Sequence, residues 1–238
     1  MKKYSSSKYL NAQFESKKNN IKFLDMKELT IVLLLISTLC NAQNFENATI
    51  TYVVSQKPMD LTKLREEAKT SAKAQEVLWY FENTKDVKAK LRFTSKESFY
   101  EVEDMLENDA ERKVNLTYSR AGGNAKYYAD KLELFTASDR GGENLRVVEE
   151  KKEWELLKDT KKIGKYNCYK AIQSNGASKI KPVAWYALEL PLPFGPNKFN
   201  GLPGVILELE LNNHVFKATN IILNSTDFEP IEKPTKGK

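Results

Sequence analysis

Val87-Lys-Ala-Lys-Leu-Arg-Phe93 alternates without a break. In an extended chain successive side chains point to opposite sides, so Val87, Ala89, Leu91 and Phe93 share one face and the cations the other. Helical spacing would scatter those apolar residues around a cylinder, so the stretch reads as a half-buried strand. Residues 98–102 follow at hairpin distance. Further strands are expected at 126–130, 133–136, 145–149 and 154–157, with Gly122-Gly123 and Gly141-Gly142 as turns. The second half continues with 166–173, 183–188, 204–211 and 215–223, and Asn212-Asn213 reads as a tight turn between the last two.

Upstream, 47–56 is rich in β-branched residues and predicts a first strand that Pro58 ends. Asp60 then opens a helix, because Leu61, Leu64, Ala68, Ala72 and Gln75 or Val77/Leu78 recur at helical spacing. Residues 224–238 read as a polar tail. No repeat of 20–50 residues and no linker divides 43–238, so one domain is expected there. The fold class is mainly β (α+β): a curved antiparallel sheet or open barrel with one N-terminal amphipathic helix packed against it.

One region breaks the pattern. Of the eight prolines in the chain, Pro182, Pro191, Pro193, Pro196 and Pro203 crowd into 22 residues with Gly195, Gly201 and Gly204. These forbid a helix or a central strand. Yet Trp185, Tyr186, Leu188, Leu190, Leu192, Phe194, Phe199 and Leu202 make the same stretch strongly apolar. A segment both structure-breaking and apolar should be rigid, extended and packed onto the domain.

Four blocks run in order here: Ile163-Gly-Lys-Tyr-Asn-Cys-Tyr-Lys-Ala171, Ala184-Trp-Tyr186, Pro191-Leu-Pro-Phe-Gly-Pro196 and Gly201-Leu-Pro-Gly-Val-Ile206. They resemble the hallmark of the GLPGLI family, exported proteins of Bacteroidota named after that hexapeptide, with Val205 where the family has Leu. Upstream of Ile163 the resemblance is only general. It implies an exported protein without an assigned molecular function and brings no catalytic residue, cofactor or metal ligand. The motif or binding residues it marks are Trp185, Tyr186, Pro191, Phe194, Gly195, Pro196, Gly201, Leu202, Pro203 and Gly204. The domain is also similar to a bowl-like β domain at the N-terminus of certain bacterial peptide:N-glycosidases.

The N-terminus reads as an export address. Residues 29–39 form an apolar run too short for a bilayer span, which takes roughly 20 residues, but long enough for a signal peptide core. Cys40-Asn-Ala42 then sets small side chains at the cleavage subsites, so the signal spans 26–42 and Gln43 begins the mature chain. Lipidation at Cys40 is disfavoured because Leu39 precedes it. Residues 1–25, with six lysines, are either a mis-assigned start ahead of Met26 or a long basic n-region. The expected destination is the periplasm or the exterior, with no membrane span in the mature chain.

This address also carries most of the charge. The full chain has 38 basic and 32 acidic residues, net +6. Without residues 1–42, which hold seven lysines and three carboxylates, 31 stand against 29. A nucleic-acid partner loses its support. One His and two Cys cannot supply the usual zinc sets.

Candidate chemistry is sparse. Cys168 sits at a strand position and is expected buried and structural. His214, the only base a nucleophilic Cys168 could use, falls in the 212–214 turn and is expected exposed. Glu208 and Glu210 alternate with leucines, as on a solvated outer face. Glu101, Glu103, Asp104, Glu107, Asp109 and Glu111 lack calcium-loop spacing. Trp185 and Tyr186 are adjacent, so in a strand one ring must face outward. The sequons at Asn47, Asn115 and Asn224 carry no weight in a bacterial chain. The expected function is a binding or scaffold module for a peptide, glycan or envelope protein. The alternatives are a carboxylate-dependent hydrolase and a purely structural module of an envelope complex.

Overall fold

The chain divides into two units, Met1–Ala42 and Gln43–Lys238. The computed structural model describes residues 45–103, 115–130, 133–140, 143–176 and 179–235, all within the second unit. The expected signal segment and the run before it lie outside the described residues. So do Asp104, Glu107, Asp109 and Glu111 and the Gly141-Gly142 turn.

The alternating stretches form eleven strands. They are β1 (Asn47–Gln56), β2 (Val87–Thr94), β3 (Glu97–Val102), β4 (Lys126–Asp130), β5 (Leu134–Arg140), β6 (Glu143–Val148), β7 (Trp154–Ile163), β8 (Tyr166–Gln173), β9 (Val183–Ala187), β10 (Val205–Glu210) and β11 (His214–Leu223). They make one open sheet in the order β6-β5-β4-β3-β2-β1-β11-β10-β9-β8-β7. Every neighbouring pair is antiparallel. Each half is a meander of sequential hairpins, and β1 with β11 forms the only pair distant in sequence.

This order forces curvature. Laid flat, ten inter-strand steps would set the edges β6 and β7 about 48 Å apart. Five residues, 149–153, join them, and six Cα steps reach only about 22 Å. The sheet must curl to bring its edges within that reach. Its inner face carries Ile50, Tyr52 and Val54 of β1, Leu91 and Phe93 of β2, Leu209 of β10 and Phe216 of β11, all buried. The β1–β2 register sets Ile50 opposite Leu91 and Tyr52 opposite Ala89, so the alternation of β2 selects the buried face of its neighbour.

The helical part differs from expectation. The single amphipathic helix is two, α1 (Thr62–Ala68) and α2 (Ala72–Asn83), broken where the Ser71 hydroxyl accepts from the Ala74 N–H and starts a new helix. Among their residues only Ala68 and Ala74 are fully buried. The helix that closes the core is a third, α3 (Leu116–Ala121). The Asn115 side chain caps it by accepting from the Thr117 N–H, and Gly122 at φ 134° ends it. Gly122-Gly123 is therefore a helix stop, not a strand turn. Ala121 is buried, and its carbonyl accepts from the Tyr100 hydroxyl at 3.0 Å.

The tail is also more than polar. Asn224, at φ 54°, is pinned to Asn47, and the chain then crosses the outer face. Arg92, buried beneath it, donates to the carbonyls of Glu229 and Pro230 and to the Glu101 carboxylate. Ile231 packs on a small cluster of Phe99, Tyr128 and Phe135. Lys233 pairs with Asp130 and Glu133. Truncation after Ser225 strips Arg92 of two carbonyl partners and uncovers that cluster. A loss of about 2–3 kcal/mol is expected in urea unfolding. An unchanged midpoint would mean the tail contributes nothing.

Candidate functional site

The proline- and glycine-rich segment after β9 crosses the inner face of the sheet. Phe194 lies 5.9 Å from Phe93 on β2, four strands from β9 in the sheet order. Leu190, Phe194, Phe199 and Leu202 are all buried, as are Gly195, Pro196 and Gly204. The segment is packed onto the domain, as the sequence leads one to expect.

Backbone hydrogen bonds explain how it is held. The β10–β11 ladder begins only at Glu208, after a register shift between Ile206 and Glu208 on the β9 side. The edge of β10 before Glu208 is thus open to other partners, and the crossing segment takes it. The Val205 N–H donates to the Leu190 carbonyl and the Ile206 N–H to the Phe194 carbonyl, both at 3.0 Å. The Ile206 carbonyl accepts from the Tyr52 hydroxyl, which reaches across from β1. Burial raises the Tyr52 phenol above its ordinary range, so it stays a neutral donor.

Two glycines are required by close approach. A Cβ on Gly204 would sit 2.1 Å from the Ala187 carbonyl oxygen, and one on Gly195 would sit 2.5 Å from the Phe199 carbonyl oxygen. Gly201, at φ 93°, makes the turn between them in the left-handed region. Its N–H donates to the Pro193 carbonyl.

The buried half leaves the other half exposed. Pro191, Pro193, Gly201 and Pro203 face solvent, and Leu188 is 44% exposed. Gly201 is bonded to Pro193, and the Leu188 backbone lies against Gly204. Pro193 and Gly201 are thus neighbours at the surface, as are Leu188 and the Pro203-Gly204 pair. Trp154 steadies the segment: the indole N–H donates to the Asn200 carbonyl at 2.8 Å and the ring lies 6.4 Å from Phe199.

Adjacent rings divide as strand geometry requires. Tyr186 points inward, buried, beside Tyr169. Trp185 points outward, half-buried, with the Lys161 ammonium 4.2 Å above its ring. Glu208 and Glu210 are on the outer face as expected, ion-paired to Lys161 and Lys57 at 2.8 and 2.9 Å. The Lys57 ammonium holds the Glu210 carboxyl below the usual range. Glu101 and Glu103 line a shallow depression of about 440 Å³ with Lys90, Tyr118 and Lys126. Glu101 is bound to Arg92 and Glu103 to Lys90, at 3.1 and 3.0 Å. Among the described residues, no three His, Cys, Asp or Glu side chains converge as a metal set.

Cys168 is fully buried, and burial pushes its thiol up to about 12. His214 corrects the expectation of exposure. The Asn212-Asn213 turn forms, with the Leu211 N–H donating to the His214 carbonyl. His214 is nonetheless half-buried as the first residue of β11, its ring 5.4 Å from Phe216. Strand β1 runs past the turn, setting Gln56 opposite the imidazole. Burial, then Arg120 nearby, pushes its pKa down to about 4. The three sequon asparagines are all used in hydrogen bonds: Asn115 caps α3, and Asn47 and Asn224 tie the end of β1 to the tail.

Comparison with known proteins points at the same segment. Residues 173–208 match the family described as "Protein of unknown function (Porph_ging)". That span runs from the end of β8 through the crossing segment into β10. Two solved structures are similar, "Structure of PNGF-II in C2 space group" and "Structure of PNGF-II in P21 space group". Both are 16% identical over 76% of this chain, with TM-scores of 0.49 and 0.47. The chain spans 28% and 29% of their lengths. No curated protein matches.

Gly204→Ala should cost roughly 3 kcal/mol or more, because backbone must move to admit the Cβ. Gly164→Ala, with open space but φ 57°, should cost only about 1–2 kcal/mol. Equal losses in denaturant unfolding would show that the close approach is unimportant. Cys168 should resist alkylation at pH 8 in the folded chain and react on unfolding; rapid native-state labelling would contradict its burial.

Proposed function

We propose that this chain is an exported protein of the cell envelope that works by binding. It would take an extended peptide or partner protein against the apolar surface of Leu188, Pro191, Pro193, Gly201 and Pro203. One observation carries the reading: the exposed half of the segment is fixed in place by its buried half. Prolines that lose little freedom on association, on a backbone bonded to β10, give a preorganised surface. The four ordered sequence blocks support membership of the GLPGLI family. The apolar run at 29–39 and Cys40-Asn-Ala42 support cleavage after Ala42 and a periplasmic or secreted destination. Among the described residues no helix is long and apolar enough to cross a membrane.

The hydrolase reading has one observation in its favour, since Glu101 and Glu103 line the same depression. Each, however, is bound to a cation, and a general acid needs surroundings that favour its protonated form. A glycan ligand finds no stack of open aromatic faces here, because Lys161 covers Trp185.

A photo-crosslinking residue at position 191 tests the proposal, with one at the outer-face position 217 as control. The expected result is one discrete adduct from 191 in the native envelope, lost on Leu188→Asp while the circular dichroism is unchanged. Adducts equal at both positions, or an adduct insensitive to Leu188→Asp, would overturn the surface assignment.

A further inference from the structure

A second set of polar groups, unrelated to the motif segment, gathers where the α1–α2 hairpin meets the sheet. His214 lies directly opposite Gln56 across the β1–β11 pair. The Gln56 side-chain amide donates to the Phe81 carbonyl of α2 at 3.4 Å. The Arg120 guanidinium of α3 lies 5.6 Å from the Phe81 ring. Gln56 Oε1 and Arg120 Nη1 are buried there without a partner among the described residues, and the buried ring nitrogens of His214 have only the Arg120 backbone near them. Buried polar atoms are seldom left unpaired, so this corner is poorly satisfied even with a neutral ring.

The hairpin has few other holds. Only two of its side chains are fully buried. Its ends are tied by the Lys57 N–H on the Asn213 carbonyl and by Thr84 on Asn115. Between those ties, Phe81 links α2 to Gln56 of β1 and to Arg120 of α3.

We propose that His214 is an acid-sensitive latch: protonating its ring adds a third cation to a corner already holding Arg120 and Lys57, and frees the α1–α2 hairpin from the end of the sheet. Burial and two cations oppose protonation of the ring, and the Arg120 backbone alone favours it. Arg120 from α3 and Lys57 beyond β1 both oppose its protonation. Glu210 of β10 is occupied by Lys57 and held below its usual range, so it keeps its charge to lower pH than a free carboxylate. Glu82 of α2 is paired with Arg65 inside the hairpin.

The direction follows from linkage. In the closed state the ring titrates near pH 4, and once open it titrates near its ordinary value of about 6.5. The closed state is therefore fully favoured above about pH 6.5 and weakens as pH falls towards 4. Each unit in that window is at most a tenfold change in the opening equilibrium. The ring is partly reached by solvent, so about tenfold in all is expected between pH 7.5 and 4.5.

The chain has one histidine, so a single imidazole signal reports on this site. NMR titration should place that signal well below pH 6.5. Amide hydrogen-exchange protection over 62–83 should fall about tenfold between pH 7.5 and 4.5, while β1 and β11 stay protected. His214→Gln should abolish the pH dependence of the hairpin. Arg120→Gln, a second variant should the first fail to fold, should move the imidazole titration upward. An imidazole titrating near 6.5, or the same acid opening in His214→Gln, would overturn the latch.

Discussion

The backbone of Ile206 is the point on which the architecture depends. Strand β11 leaves its N–H and carbonyl unserved, because the β10–β11 ladder begins only at Glu208. The Phe194 carbonyl meets the first and the Tyr52 hydroxyl the second. Unpaired, each group would cost about 1–3 kcal/mol. Through these two bonds the segment after β9, the first strand and the tenth are locked together. Phe194 delivers its ring to Phe93 while its carbonyl holds Ile206, so one residue couples core packing to backbone pairing.

That coupling gives the sequence motif its physical meaning. Gly204 and Gly195 are the places where backbone meets backbone too closely for a side chain. Gly201 supplies the turn, and Leu202 between them fills the core. Pro191, Pro193 and Pro203 face outward, where they have no hydrogen bond to lose, while Pro196 is buried. A segment forbidden both regular structures is thereby ordered by its contacts with the sheet.

Much of the sheet was legible, and the reasons are specific. The central strands announce themselves because one face of each is apolar, and β2 shows the alternation most plainly. Ends were less so: β7 runs on to Ile163 past a register shift after Leu156, through lysines and a threonine that carry no alternating signal. The α3 helix did have a signature, Asn115 before it and Gly122 after it, but six residues are too few to display a period. The burial of His214 could not be read from its turn, since Gln56 and Arg120 reach it from sequence positions 158 and 94 residues away. Of the motif residues, the sequence marked the segment but not which side chains point inward; that depends on Ile206 and on the gap between β10 and β11.

The pairing of β1 with β11 sets the order in which this molecule can be assembled. Ala48 meets Leu223, and every other pair joins strands consecutive in sequence. During synthesis the first six strands can pair as they emerge, each with the one before it. The central seam, however, must wait for almost the last residues of the chain, and closing so long a loop is slow. Until then Tyr52 lacks its carbonyl and the inner face of β1 and β2 is open. The unfinished chain is thus two half-sheets without a middle, and a break in translation before β11 would leave β1 and β10 as unprotected edges.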